Sequence, residues 1–331
     1  MSLGSTISTS SVTPSPNAEP CVPGTLLKGD SGRVYEIEKI LSDRRNPLLC
    51  VYRARAGSAK YIVKNTNKGQ FEYQTKLEKL VASSPNVRTV VDTNRENEIF
   101  IYPFLAEDLL QFSQKKMASE TRKDVLRSAL RGLADLHERD ILHSDIKPNN
   151  FLVDYEEGSN GDVTVKGVQI SDLDDAVIIP PKMWLRGRLC GNQIWRSPES
   201  WARSLQNQAS DVFSFGIVMI YVMTNKMVFF VEDDQLQAED SWRYILRRHL
   251  SFFADEDGFN GILEHIGEEN PFYERIMAFA DDFPAENGRM PFEYWKVVDP
   301  TFTDLVVKMT RLDPALRITA RDALAHSWFS A

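Results

Sequence analysis

The chain contains 331 residues, enough for one large domain or two small ones. With 39 basic against 47 acidic residues its formal net charge is −8, and 42% of its residues are hydrophobic, which excludes global disorder and a collagen-like repeat. A net-acidic chain lacks the basic surface that binding nucleic acid by charge requires, so we expect no nucleic-acid partner.

Cysteine usage and hydropathy indicate the compartment. The three cysteines, Cys21, Cys50 and Cys190, are too few and too scattered for a disulfide framework or a zinc cluster, so a reducing compartment is expected. The longest apolar stretch, residues 216–223, falls far short of the roughly 20 residues that a membrane helix needs. The first residues resemble neither a secretory signal nor a transit peptide. We therefore expect an intracellular protein, in the cytoplasm or nucleus, without a membrane partner.

Residues 1–28 are predicted to be a disordered tail. Residues 1–24 are rich in Ser, Thr, Pro and Gly, and such a segment buries too little apolar surface to offset the entropy lost on ordering. Two interpretations of the tail stay open, an inert segment or an arm that is phosphorylated.

Residues 29–105 are predicted to form a small lobe that is mainly β-sheet. Apolar residues at positions 73, 77, 80 and 81 follow the helical period and predict one helix over 71–81. Around this helix, alternation and β-rich composition predict short strands. The strands cover 33–41, 50–56, 60–65, 87–91 and 98–102.

Residues 106–331 are predicted to form a larger, mainly helical lobe. The apolar residues between Val125 and Leu136 repeat at intervals of three and four, as on one face of a helix. The predicted fold class is therefore α+β, with a small β-rich lobe carrying one main helix and a larger helical lobe. Short strands are expected at 151–153 and 168–170, and further helices at 211–223, 241–253, 259–265, 302–311 and 319–326.

Residues 143–150, which read His-Ser-Asp-Ile-Lys-Pro-Asn-Asn, carry the most specific chemical pattern. Asp145 and Asn150 are spaced as in the catalytic loop H-R-D-x-x-x-x-N of protein kinases, with Ser144 in place of the arginine. At this point the sequence resembles the eukaryotic protein kinase family. The Lys-Pro pair inside the loop resembles the serine/threonine branch of that family rather than the tyrosine branch.

Further landmarks of that family occur in the family's order. Residues 61–64 align with its Val-Ala-Ile-Lys segment, residues 172–174 with Asp-Phe-Gly and residues 195–199 with Ala-Pro-Glu. Residues 210–216 align with its Asp-x-Trp-Ser-x-Gly segment, and residues 313–317 align with one C-terminal landmark. Such order and spacing are hard to obtain by chance. The resemblance spans about residues 33–329 and implies a bilobal, protein-kinase-like fold.

The resemblance implies a phosphoryl-transfer site built from residues that lie far apart in the chain. Catalysis of this transfer is positioning plus electrostatics. Asp145 would accept the proton of the substrate hydroxyl, and Lys147 would neutralise the moving γ-phosphoryl group. Asn150 and Asp172 would hold Mg²⁺, a hard cation that prefers oxygen ligands. Lys64 would bind the α- and β-phosphates of ATP. A protein would be the substrate, and no regulatory partner is identified.

The resemblance also implies an adenine pocket next to the strand that ends near Tyr102. Tyr102 would be the gatekeeper, the carbonyl of Pro103 would accept a hydrogen bond from adenine, and the N–H of Leu105 would donate one. Asp108 is placed to reach the ribose, although an aspartate at the start of a helix explains it equally well.

The phosphate-covering loop departs from the family pattern. Alignment on Val51, which belongs to the predicted ATP-binding set, puts Arg44, Asn46 and Leu49 at the three glycine positions. Glycines let backbone N–H groups approach phosphates, so reduced ATP affinity is expected. Either Arg44 and Arg45 compensate with side-chain charge, or the segment is an ordinary exposed turn.

Three further departures concern the other walls of the cleft. Ile62, the last member of the predicted ATP-binding set, replaces a small alanine and narrows the adenine pocket. Asp174 and the acid that follows it add carboxylates that either raise metal affinity or repel phosphate. The helix residue that pairs with Lys64 is either Gln74, favoured by helical phase, or Glu72, the nearest acid.

The predicted activation segment, residues 173–196, contains no Ser, Thr or Tyr. In the family, the arginine that Ser144 replaces binds a phosphate in this segment. Sensor and target are therefore missing together, and we expect no switching by phosphorylation in this segment.

The sequence supports three functional hypotheses. The first is a serine/threonine protein kinase that uses ATP and Mg²⁺, because the five predicted catalytic, phosphate and metal residues are all present. The alternative is a pseudokinase that acts as a nucleotide-binding or scaffolding module, which the missing glycines, Ile62 and Asp174 favour. Phosphoryl transfer to a small molecule is the third hypothesis and fits least, because the Lys-Pro pair and the Ala-Pro-Glu-like segment resemble a protein-substrate site.

Overall fold

The computed structural model describes residues 20–45, 48–159, 161–281, 283, 288–296 and 298–330. Most of the predicted tail, and Asn46 of the predicted phosphate-covering loop, lie outside these ranges. Within the ranges, no helix is both long enough and apolar enough to cross a bilayer.

One antiparallel sheet dominates the first part of the described chain. Its strands are β1 (Leu26–Lys28), β2 (Val34–Ser42), β3 (Val51–Ala56), β4 (Ala59–Asn65), β5 (Asp92–Asn94) and β6 (Ile99–Pro103). Their order in the sheet is β1-β2-β3-β4-β6-β5. Side chains at alternate positions fill the core of this sheet, so Tyr52 and Ala54 of β3 are fully buried together with Val63 of β4.

Helix α1 (Phe71–Val81) lies between β4 and β5 in the chain, over the residues that the apolar period predicts. Its buried Leu77 and Val81 belong to the large hydrophobic core of the helical region and not to the core of the sheet. The Phe71 ring of α1 also stacks on the ring of Phe100 in β6, with 4.7 Å between the centroids. Helix α1 therefore packs against both the sheet and the helical region.

Two small sheets open the second region. Strands β7 (Glu107–Asp108), β9 (Phe151–Glu157) and β10 (Val163–Ile170) form one, and β8 (Ile141–Leu142) with β11 (Val177–Ile178) forms the other. The catalytic-loop residues connect β8 to β9, and the Asp-Leu-Asp segment connects β10 to β11. Because β9 and β10 pair with each other, these two connections lie side by side.

Helices make up most of the remaining chain. They are α2 (Leu109–Phe112), α3 (Ser119–His137), α4 (Pro198–Trp201), α5 (Gln208–Thr224), α6 (Asp233–Gln237), α7 (Ser241–Phe253), α8 (Glu256–Ile266), α9 (Phe272–Met277), α10 (Pro300–Met309), α11 (Ala320–Leu324) and α12 (Ser327–Ser330). The architecture is α+β, with a sheet-rich first region and a helical second region, as the predicted fold class requires.

Helix α5 is the centre of the helical region. Its residues from Ser210 to Val222 are all buried, so its apolar surface runs around the whole helix, which is typical of a core helix. Gly216 lies against the end of α10. A Cβ atom there would lie 2.7 Å from Cγ2 of Thr310 and 3.3 Å from Cβ of Met309, so a larger residue would require these neighbours to shift.

The predicted strand over 87–91 is wrong. Val87 makes a single bridge to Ile170, and strand β5 begins only at Asp92. The N–H of Arg88 donates to the carbonyl of Ile170 at 2.8 Å. These bonds tie the start of the segment to the end of β10, and the segment meets the sheet at its last residue, where the N–H of Val91 donates to the carbonyl of Ile101 at 2.8 Å.

A buried ion pair joins two of the distant landmarks. Arg317 donates to the two carboxylate oxygens of Glu199 at 2.5 and 2.8 Å, and neither side chain is more than 1% exposed. The guanidinium also donates to the carbonyls of Ala209 and Leu312. Burial alone would raise the pKa of Glu199, but the adjacent guanidinium overcomes this and lowers that pKa. The ion pair, with both groups charged, therefore fixes α4 against the helical core.

Replacing Arg317 by Met should lower the free energy of unfolding by about 3–5 kcal/mol at neutral pH, because it leaves Glu199 buried and unpaired. In the wild type, the stability from this pair is present above the pKa of an unfolded glutamate and is lost as the pH falls through the lowered folded-state pKa. In the variant the pKa of Glu199 is raised instead. The difference in the free energy of unfolding between the wild type and the variant should therefore shrink as the pH falls towards about 4. Urea unfolding at several pH values measures this difference.

The double variant Glu199→Gln with Arg317→Met is the matched control, since it removes both charges and should recover part of the lost stability. A single variant as stable as the wild type at neutral pH would contradict the role given to the pair.

Candidate active site

An aspartate of helix α5 holds the backbone of the catalytic loop. Asp211, only 2% exposed, accepts the N–H of His143 at 2.7 Å and that of Ser144 at 2.9 Å, with a different oxygen for each. His137, at the end of α3, lies 3.1 Å from the same carboxylate. Ser144 has a positive φ of 66°, which costs energy in a residue other than glycine. The hydrogen bonds to Asp211 hold the loop in this conformation.

His143 joins the catalytic loop to the Asp-Leu-Asp segment. Its ring is fully buried, with Nε2 2.9 Å from the carbonyl of Ser171 and Nδ1 accepting the N–H of Asp145 at 3.3 Å. These partners require the proton to sit on Nε2. His143 therefore has a structural role, linking these two segments.

Asp145, Lys147 and Asn150 form one cluster. Nζ of Lys147 lies 2.5 Å from Oδ2 of Asp145, and the Asn150 amide donates to the same oxygen at 3.2 Å and to the Asp145 carbonyl at 2.8 Å. The other carboxylate oxygen accepts the N–H of Asn192, in the activation segment, at 3.1 Å. The Asp145 side chain is 15% exposed. The predicted catalytic base is therefore oriented by three neighbours and still reachable from solvent.

Lys64 reaches from β4 to the segment that follows β10. Its Nζ contacts Asp172 and lies 2.8 Å from Oδ2 of Asp174. Burial disfavours the charged lysine, but the two carboxylates overcome this and raise the pKa of Lys64. Ser171, next to Asp172, donates its backbone N–H to the carbonyl of Asn150 at 2.8 Å. A continuous set of contacts therefore joins the predicted phosphate, metal and base residues.

Neither candidate on helix α1 pairs with Lys64. Gln74 is buried, as its helical phase predicts, but its amide donates to two backbone carbonyls of the Asp-Leu-Asp segment, at 3.2 and 3.1 Å. Glu72 lies on the exposed side and pairs with Arg95. The additional carboxylate beside Lys64 comes from Asp174, within the segment that carries the predicted metal ligand. The sequence pattern missed this contact because helical phase describes only α1.

The predicted metal ligands fit a hard cation. Asn150 uses its amide nitrogen for Asp145, which leaves the amide oxygen for a ligand. Lys64 holds one carboxylate oxygen of Asp172, and no hydrogen bond among the described residues uses the other. In those same ranges no group of three His, Cys, Asp or Glu side chains could hold a metal ion. Two protein oxygens suit Mg²⁺, which usually takes one or two carboxylates and completes its shell with phosphates and water.

The carbonyl predicted to receive adenine has a protein partner. Arg88 donates from Nε to the carbonyl oxygen of Pro103 at 3.1 Å, and its Nη2 contacts the same oxygen. Cζ of Arg88 lies 5.1 Å from the centroid of the Tyr102 ring. The Tyr102 hydroxyl donates to the buried carboxylate of Glu78 at 2.8 Å. Sequence reasoning missed Arg88 and Glu78. The sequence did offer one sign of Arg88, because a charged residue is unexpected within the mainly apolar strand predicted over 87–91.

The other predicted ATP-binding residues lie along the same strands. Val51 on β3 is paired with Lys64 on β4, and Ile62 on β4 is paired with Tyr102 on β6. Ile62 is half-buried and stands at the strand position next to the gatekeeper. Leu105 follows β6 and is half-buried, and no hydrogen bond within the described ranges uses its N–H. The predicted donor to the base is therefore available.

Asp108 caps helix α2. Its Oδ1 accepts the N–H of Gln111 at 2.9 Å, and its Oδ2 accepts the side-chain amide of Asn149 at 3.1 Å. The helix-start interpretation of Asp108 is supported, and a ribose hydroxyl would have to share an oxygen that already has a partner.

The turn in place of the glycine-rich loop closes on itself. The N–H of Leu49 donates to the carbonyl of Arg44 at 2.9 Å. Nη2 of Arg45 donates to Asp43 at 2.9 Å, and these two side chains are 52% and 40% exposed. Arg44 is exposed as well. This arrangement favours the exposed-turn interpretation over a site that holds phosphate.

The activation segment is held by contacts within the protein. Oγ of Ser144 donates to the carbonyl of Asp175 at 2.7 Å, and the Asp175 carboxylate pairs with Arg188 at 2.6 Å. Gln206 donates to the carbonyl of Arg188 at 2.7 Å. A serine and an internal ion pair thus lie where the family's arginine would bind a phosphate.

The fold is that of a protein kinase domain. The chain matches the family model of the protein kinase domain over residues 28–329, and it belongs to this family. The matched range includes every residue predicted for the site.

Named relatives are distant kinases and a kinase-like protein. The chain is 28% identical over 240 residues to the mitogen-activated protein kinase HOG1B of Wallemia ichthyophaga, and the aligned residues cover 71% of this chain and 57% of that protein. It is 23% identical over 328 residues to the serine/threonine-protein kinase srb10 of Schizosaccharomyces pombe, covering 93% and 85%. It is 22% identical over 251 residues to the human CaM kinase-like vesicle-associated protein, covering 74% and 42%. The chain thus spans about half the length of the first and third of these relatives.

Replacing Asp174 by Gly should raise the affinity for Mg²⁺–nucleotide roughly three- to tenfold, because it removes one of the two carboxylates that compete with phosphate for Lys64. Isothermal titration calorimetry measures the change. Asp175→Gly is the matched control: its carboxylate pairs with Arg188 instead, so affinity should change less than about twofold. Weaker binding by the Asp174 variant would instead mean that this carboxylate holds the metal.

Phosphatase treatment of the purified chain should leave nucleotide affinity and any phosphotransfer rate unchanged, because the activation segment is held by Ser144, Asp175 and Arg188 rather than by a phosphate. A kinase that requires loop phosphorylation serves as the control that the phosphatase acts. A phosphosite mapped within 173–196, or a loss of about tenfold in rate, would contradict this prediction.

Proposed function

We propose that this protein is a serine/threonine protein kinase that transfers the γ-phosphoryl group of ATP to hydroxyl groups of protein substrates. The observation that carries the proposal is the Asp145 cluster, in which the carboxylate is oriented by the Lys147 ammonium and the Asn150 amide. Phosphoryl transfer depends on positioning and charge stabilisation more than on covalent chemistry, and this cluster supplies both.

Each residue of the cluster has a distinct task in that reaction. Asp145 orients the substrate hydroxyl and accepts its proton, while Lys147 stabilises the negative charge that develops on the transferred group. Lys64 binds the α- and β-phosphates once these displace its carboxylate partners. Asn150 and Asp172 would hold Mg²⁺, which neutralises phosphate charge when it is bound.

The finer parts of the proposal rest on the family. ATP and Mg²⁺ are the substrate and cofactor that protein kinases use in general. Serine and threonine are the proposed acceptors because the Lys-Pro pair of the catalytic loop resembles that branch. The relative from Schizosaccharomyces pombe, which covers most of this chain, is named a serine/threonine-protein kinase.

A pseudokinase is the second candidate function, and three observations favour it. Lys64 is already paired with two carboxylates, and the Pro103 carbonyl is bonded to Arg88. The turn that contains Arg44 lacks the glycines of a phosphate-covering loop. In this case the fold would bind a nucleotide or a protein without transferring phosphate.

The variant Asp145→Asn separates the two functions. It should lower phosphoryl transfer to a Ser/Thr peptide library by about 10²–10⁴-fold, because it removes the group that accepts the hydroxyl proton. Nucleotide affinity should change less than about threefold, since Asp145 acts on the acceptor and not on the nucleotide. Transfer of radiolabelled γ-phosphate, followed by phosphoamino-acid analysis, measures both the rate and the acceptor.

Asp154→Asn, at an exposed position of β9, is the matched control and should leave the transfer rate unchanged. Equal signals from the wild type and Asp145→Asn would mean a contaminating kinase and would leave the pseudokinase as the function. Transfer to tyrosine alone would contradict the proposed acceptor.

We also propose an intracellular location, in the cytoplasm or the nucleus. Cys21, Cys50 and Cys190 are free thiols, the state expected in a reducing compartment. Imaging of a tagged chain in its host cell tests this location, and secretion of the chain would contradict it.

A further inference from the structure

An arginine side chain occupies the place where a base would meet the hinge. Nε and Nη2 of Arg88 both donate to the carbonyl oxygen of Pro103. That oxygen has two lone pairs, so two donors fill its capacity. The guanidinium also lies over the Tyr102 ring, the predicted gatekeeper. Arg88 therefore covers the hinge acceptor that the resemblance assigns to adenine.

Several groups hold Arg88 in this position. The backbone N–H of Arg88 is bonded to Ile170, which fixes the segment that carries the side chain. The Tyr102 ring beneath the guanidinium is itself held by Glu78, whose other carboxylate oxygen accepts the N–H of Val90 at 3.0 Å. Burial lowers the pKa of Arg88 to about 10, so the side chain keeps its positive charge at neutral pH. The arginine is thus part of a built arrangement and not a stray surface side chain.

The hydrogen-bonding capacity of this arginine differs from that of the carbonyl it covers. A guanidinium has five N–H donors and no acceptor. Two point to Pro103, and no hydrogen bond within the described ranges uses the others. A base that meets the hinge with an amino group, as adenine does, has to displace Arg88. A base that presents an oxygen there can accept from Arg88 and leave its bonds to Pro103 in place.

Guanine presents such an oxygen. Its O6 and N7 are neighbouring acceptors, and a bidentate contact of arginine with this pair is the commonest specific contact in nucleic-acid recognition. Adenine offers N7 as an acceptor but carries a donor amino group in place of O6. The same arginine therefore opposes adenine at the hinge and suits guanine.

We propose that Arg88 determines base selectivity in the cleft, so that guanine nucleotides bind at least as tightly as adenine nucleotides. This inference rests on the proposed function only in that the cleft holds a nucleoside triphosphate. It does not require phosphotransfer, because base selection occurs on binding.

Binding constants for Mg²⁺–ATP and Mg²⁺–GTP, measured by calorimetry on the full chain, test the proposal. The wild type should bind GTP at least as tightly as ATP. Arg88→Val removes the donors and frees the Pro103 carbonyl, so it should shift the affinity ratio towards ATP by about fivefold or more, the lower end of what a bidentate arginine contact gives. A smaller shift, or a wild type that prefers ATP or binds neither nucleotide, overturns the proposal.

Two controls complete the experiment. Arg95→Val removes an arginine that pairs with Glu72 and stacks on Phe71, away from the hinge, and should leave the ratio unchanged. Inosine triphosphate, which keeps the 6-oxygen of guanine without its 2-amino group, tests the unmodified protein should Arg88→Val fail to fold. It should bind at least as tightly as ATP, and weaker binding overturns the proposal. If the ratio shifts but Asp145→Asn leaves phosphotransfer unchanged, base selection stands and the proposed kinase activity fails.

Discussion

One buried carboxylate, that of Asp211, determines the geometry of the catalytic half of the cleft. It stands on the buried part of helix α5, from Ser210 to Val222, and accepts the successive N–H groups of His143 and Ser144. Charge-assisted hydrogen bonds are strong where water is excluded, and here they hold Ser144 in a conformation that it would otherwise avoid. Asp145 follows directly, so its position depends on the core of the helical region. The reactive end of the site is consequently anchored to a helix in the core of the helical region.

The two sides of the cleft follow the kinase pattern to different degrees. On the helical side, the three predicted residues Asp145, Lys147 and Asn150 contact one another, and their catalytic roles stay predictions. On the sheet side, the groups that should meet the nucleotide already have partners within the protein. Lys64 is paired with two carboxylates, and the Pro103 carbonyl is bonded to Arg88. The phosphates of a nucleotide would have to exchange with the carboxylates on Lys64, and a base that presents an amino group to the hinge would have to displace Arg88. We therefore expect the sheet side to control nucleotide affinity and the helical side to carry the proposed chemistry.

Local patterns predicted the fold class and the placement of residues 143–150 before a strand, because each depends on residues close together in the chain. The period of α1 and the spacing of residues 143–150 are of this kind. The strand over 87–91 failed because a bond to Ile170, far away in the chain, decided its conformation. For the same reason the partner of Lys64 and the role of Arg88 could not be predicted: both depend on which side chains the fold brings together.

The hydrogen bonds of Gln74 connect helix α1 to the backbone that lines the cleft. Its amide donates to two main-chain carbonyls of the Asp-Leu-Asp segment and does not bond to the Lys64 ammonium. Such a link joins neutral groups, so changes in acidity or salt scarcely affect it. A displacement of α1 would therefore act first on the main chain that carries Asp172 and Asp174. Any effect of α1 on the cleft would therefore act through the position of this backbone and not through charge.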